Sequence, residues 1–272
     1  MVRFDGYSAT TQAANHYQLA DLFGPGFKTD QGRGFHSFGH RLSVRDDLGL
    51  EVGSVMWGGA HGDRSMIEVK GEHSPRVVEA LRSNFPHRCT RGDACADFDA
   101  PGAFERILSS CVEVKATNPR LKSEKRGDWD DHPEDGRTYY LGSQKSPVRT
   151  RLYDKGRQPE YRHLGRPDWC RLEVQVRPAK EAKTEFASLG PLEFWAASTW
   201  SRDLAGRVLA EHLDPHPAGT IWRKTGLEHR FHVLCKQYGA TFLELYAELG
   251  SWECVGLTIK EKLSDFREGK RH

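Results

Sequence analysis

The chain has 272 residues, 37% of them hydrophobic and 29% charged, with a formal net charge of +2. That is enough chain to bury a core in one large or two small domains, and the composition excludes an unfolded polymer. No apolar run approaches the roughly 20 residues that cross a bilayer. Six scattered cysteines, without a CxxC pair or a secretory leader, point to reduced cytosol.

In chain order, FDGYSATT reads as an opening strand. An amphipathic stretch from Asn15 to Phe23 follows and ends at the breaker Gly24-Pro25-Gly26. His40–Val44 and Leu50–Trp57 read as a hairpin turned at Asp46, Asp47 and Gly49. Met66–Lys70 gives a further strand, and Ser74–Asn84 a helix with Ser74 as N-cap and Pro75 at its first position.

CTRGDACADF is informative because side chains alternate along a strand. Arg91, Asp93, Cys95 and Asp97 share one face, while Gly92, Ala94, Ala96 and Phe98 share the other. A helix over Pro101–Val114 presents Phe104, Ile107, Leu108 and Cys111 on one side. Lys122–Asp135 is charged, carries Gly and Pro, and reads as an exposed loop. Thr138–Gly156 then reads as two strands joined by a Ser/Pro turn. If Val148–Lys155 is extended, Arg149, Arg151, Tyr153 and Lys155 project together. A phenol flanked by cations can attack phosphorus, although the plainer meaning is a half-buried strand tyrosine beside a solvated basic face.

WCRLEVQVRP repeats the alternation, with Arg171, Glu173, Gln175 and Arg177 opposite Leu172, Val174 and Val176. Three such strands predict an α+β fold: an antiparallel sheet with helices on one face and a cationic, carboxylate-bearing surface on the other. Ten basic and four acidic residues give +6 within Arg137–Arg177, a density that suits a polyanion partner as well as a solvated face. Beyond Lys180 the character is helical, with Leu227–Gly239 and Ala240–Leu249 meeting at Gly239 and a third helix over Trp252–Phe266. The Gly239 junction has the form of a helix-turn-helix, though two packed helices explain it as well. His36 with His40, and His229 with His232, have ligand-like spacing but no matching second pair, which argues against zinc. No internal repeat is visible.

The ordered blocks RGDACADF, YYLGSQKSPVRTRLYDKG and CRLEVQVR resemble the replication-initiation transesterases, the Rep-trans family of rolling-circle plasmids, filamentous phages and some integrative conjugative elements. The match covers Thr90–Pro178. The resemblance implies an origin-specific DNA strand transferase in the cytoplasm of a bacterial host, which nicks one strand through a phosphotyrosine and later rejoins it. Its catalytic domain would span residues 1–180, with a helical C-terminal region over 181–272. Tyr153 would be the nucleophile, assisted by Arg151 and Lys155, and Asp93, Asp97 and Glu173 would support Mg²⁺ or Mn²⁺. Arg149, Arg171, Arg177 and Lys145 would contact origin DNA, and a host helicase and a second copy of the chain are further implied partners.

Asp93 and Asp97 lie about 13 Å apart along a strand, too far to share one ion without a bulge, which favours Asp93. A non-catalytic nucleic-acid-binding protein is the alternative. It would leave Asp93 and Glu173 as unexplained carboxylates on a surface facing phosphate.

Overall fold

The computed structural model describes residues 1–132, 135–210, 213–219 and 226–267, with the backbone alone for 226–230, 232–233, 236–237 and 266–267. The His229/His232 pair, and Pro133 and Glu134 of the charged stretch, lie outside the described side chains. The chain divides into two compact units, Met1–Thr220 and Ile221–His272.

The first unit is built on a single sheet of ten strands: β1 (Val2–Thr11), β2 (Lys28–Arg33), β3 (His40–Arg45), β4 (Glu51–Trp57), β5 (Ser65–Lys70), β6 (Arg88–Asp99), β7 (Ser123–Arg126), β8 (Thr138–Leu141), β9 (Val148–Tyr153) and β10 (Trp169–Val176). Their order across the sheet is β2-β3-β4-β5-β1-β6-β10-β9-β8-β7, and every pairing is antiparallel. One face carries Phe4, Val55, Ile67, Ala94, Leu152, Leu172 and Val174, all buried in one core. That core is closed by α1 (His16–Asp21), α2 (Ser74–Asn84), α3 (Ala103–Thr117), α4 (Ala182–Ser188) and α5 (Thr199–Leu209). Burying an apolar sheet face under helices removes it from water at about 25 cal/mol per Å². The expected α+β architecture is the one observed.

Phe186, Phe194, Trp195 and Leu204 are fully buried in this same core. The first unit therefore continues beyond the 180/181 boundary at which the composition turns helical.

Two halves of this unit follow one path. β1, α1, β2 to β5 and α2 are matched in order by β6, α3, β7 to β10 and α4. Reading outward from the central β1/β6 pair, each half runs first strand, last strand, then the intervening strands in reverse. The sheet is thus a pseudo-twofold duplication, where the sequence shows no repeat. A topology needs only a matching polar and apolar pattern, which tolerates almost complete divergence of identity.

Four local expectations are corrected. The charged stretch contains β7, which pairs with β8 at the sheet edge and is exposed at all four positions. His73 occupies the N-cap position of α2 without a side-chain cap bond, leaving Ser74 inside the first turn with its hydroxyl buried. β9 ends at Tyr153, so Lys155 lies in a 3₁₀ turn and not on the strand. In the second unit, α6 (Gly226–Leu249) runs through Gly239 without a break, and the helix-turn-helix reading falls. A lone glycine costs a helix only about 1 kcal/mol, which does not end it without a proline. α7 (Trp252–Arg267) follows, with Trp252 stacked on Tyr246 at 4.8 Å.

Candidate active site

The sheet face away from the helices is polar and carries a cavity of about 310 Å³. Register explains its content. In an antiparallel ladder, paired residues share a face. Asp93 pairs with Gln175, Cys95 with Glu173, Glu173 with Arg151, and Arg171 with Tyr153, so all of these project together. The Asp93 and Glu173 carboxylates both line the cavity, with Asp5 and Glu68 beside them. Arg91, Arg149, Arg151 and Tyr140 complete its polar wall.

Each of three carboxylates has an arginine. Arg91 forks onto both oxygens of Asp93. Arg151 donates from Nη2 to Glu173 Oε2 at 2.9 Å, and Oε1 has no hydrogen bond among the described residues. Arg171 donates from Nη1 to Asp5 at 2.6 Å. Glu68 forms no ion pair among the described residues. Burial, together with the nearby charges of Asp93 and Asp5, pushes the Glu173 carboxyl above its usual range despite Arg151.

Asp97 has a different setting. It accepts from Arg171 Nε at 2.7 Å and Nη2 at 2.9 Å, from Arg3 Nη1 at 2.7 Å and from Trp169 Nε1 at 3.0 Å. Burial alone would raise its carboxyl, but the hydrogen bonds and charge of Arg171, with Arg3 and Trp169, hold it below the usual range. It does not line the cavity. Arg171 is 3% exposed and spends its Nε, Nη1 and Nη2 on Asp97 and Asp5, so it presents nothing to a DNA backbone.

Tyr153 is 3% exposed. The Arg151 guanidinium lies 4.1 Å from its ring centre and the Lys155 ammonium 5.8 Å. Lys155 is itself buried, over the Tyr161 ring at 3.8 Å. Burial, then the charge of Glu173, drives the Tyr153 hydroxyl well above the usual phenol range, against the opposing pull of Arg151 and Arg171. Tyr140, half-buried, sits in the cavity wall with Arg149 over its ring at 3.7 Å. Of the other basic residues, Lys145 is exposed in the β8–β9 turn, Arg149 reaches Glu124 at 3.3 Å, and Arg177 donates to the Gln144 carbonyl.

Asp5 and Glu68 escaped the sequence reading. Asp5 shares this face with Arg3 by alternation around buried Phe4, and a register shift between Phe4 and Gly6 then resets the phase of β1. Glu68 stands in plain alternation between Ile67 and Val69, and the short Met66–Lys70 strand was the available signal.

Among the described residues no group of three or more His, Cys, Asp and Glu side chains is disposed around a cation. The oxygen donors still fit a hard divalent ion, because Mg²⁺ characteristically takes one or two carboxylates plus substrate phosphate. Glu173 Oε1 accepts no hydrogen bond among the described residues. Asp93 is less free, with both oxygens on Arg91.

Comparison with known proteins adds an independent finding. Residues 94–201 match the family model Rep_trans, described as replication initiation factor, which supports a role in replication initiation. A solved structure titled as that of a rolling circle replication initiator protein from Geobacillus stearothermophilus is similar over 72% of this chain and 83% of its own, at 16% identity and a TM-score of 0.49. No curated protein matches the chain.

Proposed function

With residues 94–201 as a replication initiation factor segment, we propose that the chain is an origin-specific DNA strand transferase that nicks through a phosphotyrosine. The observation that carries the proposal is Tyr153 under the Arg151 guanidinium and paired across the ladder with Arg171, on the face that also bears Asp93 and Glu173.

In the reaction, Tyr153 Oη forms a bond to phosphorus as the bond from phosphorus to the DNA 3′-oxygen breaks. The strand leaves with a 3′-hydroxyl, and its 5′ phosphate stays on the protein. Attack by that 3′-hydroxyl reverses the step without ATP. The phenolic proton passes to water, and the departing 3′-oxygen takes one from water. Arg151 offsets the negative charge that develops on the phosphoryl oxygens. A divalent cation, when bound, polarises the scissile phosphate; Glu173 and Asp93 would hold it, with Glu68 beside them. Lys145, Arg149 and Arg177 supply the positive surface for the strand backbone.

A second reading has one observation behind it: Tyr140 lines the cavity, whereas Tyr153 is enclosed. Incubation with a supercoiled plasmid bearing the origin, and Mn²⁺, separates the two. Nicked circles and a detergent-resistant protein–DNA adduct are expected, lost with Tyr153→Phe and kept with Tyr140→Phe. The reverse pattern moves the nucleophile to Tyr140, and no adduct from any form leaves a binding protein.

A further inference from the structure

The pseudo-twofold arrangement equates particular residues. Glu173 on β10 stands opposite Cys95, and Cys95 opposite Arg3; Glu68 on β5 stands opposite Ser8, and Ser8 opposite Arg91. Rotation about the β1/β6 contact therefore exchanges Glu68 with Glu173 and Arg3-Phe4-Asp5 with Arg91-Gly92-Asp93. The exchange fails at the tyrosine. Where Tyr153 faces Arg171 and Arg151 faces Glu173, the N-terminal half has Met56 facing Met66 and Ser54 facing Glu68. That half keeps the acids and lacks the nucleophile and its arginines.

Its acids point into the other half's site. Asp5, at the bulge in β1, lines the cavity, and the adjoining backbone lies so close to Asp93 that a Cβ at Gly6 would stand 2.9 Å from Asp93 Oδ2. Asp5 Oδ1 takes Arg171 Nη1, while Asp97 takes the Nε and Nη2 nitrogens. Arg171 is the cross-strand partner of Tyr153, so the cation paired with the tyrosine across the ladder is held by a carboxylate from each half.

We propose that Asp5 is a positioning residue of the tyrosine site: reaching across the pseudo-dyad, it clamps Arg171 and fixes the cationic frame in which Tyr153 stands. The inference rests on the reading of Tyr153 as nucleophile. Without Asp5, Arg171 is held by Asp97 alone and its Nη1 loses its carboxylate. Displacement of a positioning group by about an ångström is enough to slow a bond-forming step by about two orders of magnitude.

The test uses the full chain with Asp5→Asn, which keeps shape and removes charge, and Asp5→Ala. At saturating origin strand, single-turnover adduct formation is expected to fall roughly 10- to 100-fold, with the half-saturating strand concentration within about twofold of wild type. A second readout does not depend on activity. With 3-fluorotyrosine placed at position 153, the ¹⁹F resonance should shift on Asp5→Asn, reporting a changed frame around the ring. Wild-type rates in both variants, a rate loss that only tracks the folded fraction in thermal unfolding, or an unmoved fluorine resonance would each overturn the proposal. Wild-type protein that forms no adduct overturns the tyrosine reading instead, and the fluorine measurement still decides the clamp.

Discussion

Replacing Asp97 by Asn separates a structural carboxylate from a metal ligand. Asp97 accepts four hydrogen bonds, three of them from Arg3 and Arg171, and Arg171 keeps only 4% of its side chain in solvent. An amide in its place turns an NH₂ toward guanidinium donors and removes one of the two negative charges on Arg171. Breaking a buried pair from one side costs about 3–5 kcal/mol, and the 21% exposure of Asp97 places it at the lower end, near 3 kcal/mol. For a chain of this size that lowers Tm by roughly 6–12 °C.

The assay is urea or thermal unfolding of both proteins at neutral and acid pH. Because the folded-state carboxyl is held below its usual range, its stabilisation is present above about pH 4 and lost as pH falls through the folded value. The gap between wild type and Asp97→Asn should therefore be widest at neutral pH and close in acid. An unchanged Tm at neutral pH, combined with loss of metal-dependent cleavage, would refute the structural assignment.

Glu173→Gln should abolish strand cleavage while binding of the origin strand stays equal or tightens, since one negative charge facing phosphate has gone; cleavage that survives both this change and EDTA would remove the metal from the mechanism. Gly92→Ala should destabilise by roughly 1–3 kcal/mol through overpacking, because an added Cβ would meet the Phe194 ring at 2.1 Å. Urea denaturation reads that change, and a stability equal to wild type would mean that Phe194 has room to move.

The three alternating strands were legible because alternation is a local property. RGDACADF, VRTRLY and CRLEVQVR each place polar residues on one face whatever surrounds them, and the ladder pairs them as that pattern demands. Helices buried by a regular stripe, such as α3 with Phe104, Ile107 and Cys111, were readable for the same reason. Charged β7 was not, since an exposed edge strand draws its stability from pairing with β8 and carries no apolar signature. Nor was the continuity of α6, where one glycine has too small a cost to act as a stop.

By itself, then, the sequence determined which faces are polar, which residue types stand on them, and the family they resemble. Only the tertiary structure decided which carboxylate meets which cation. Asp93 and Asp97 share a face and a motif, yet one lines the cavity with Arg91 while the other is tied to Arg171, Arg3 and Trp169. That choice is set by partners distant in sequence, as where Asp5 on β1 meets Arg171 on β10. Electrostatic energy depends on separation and burial, neither of which is a property of residue order.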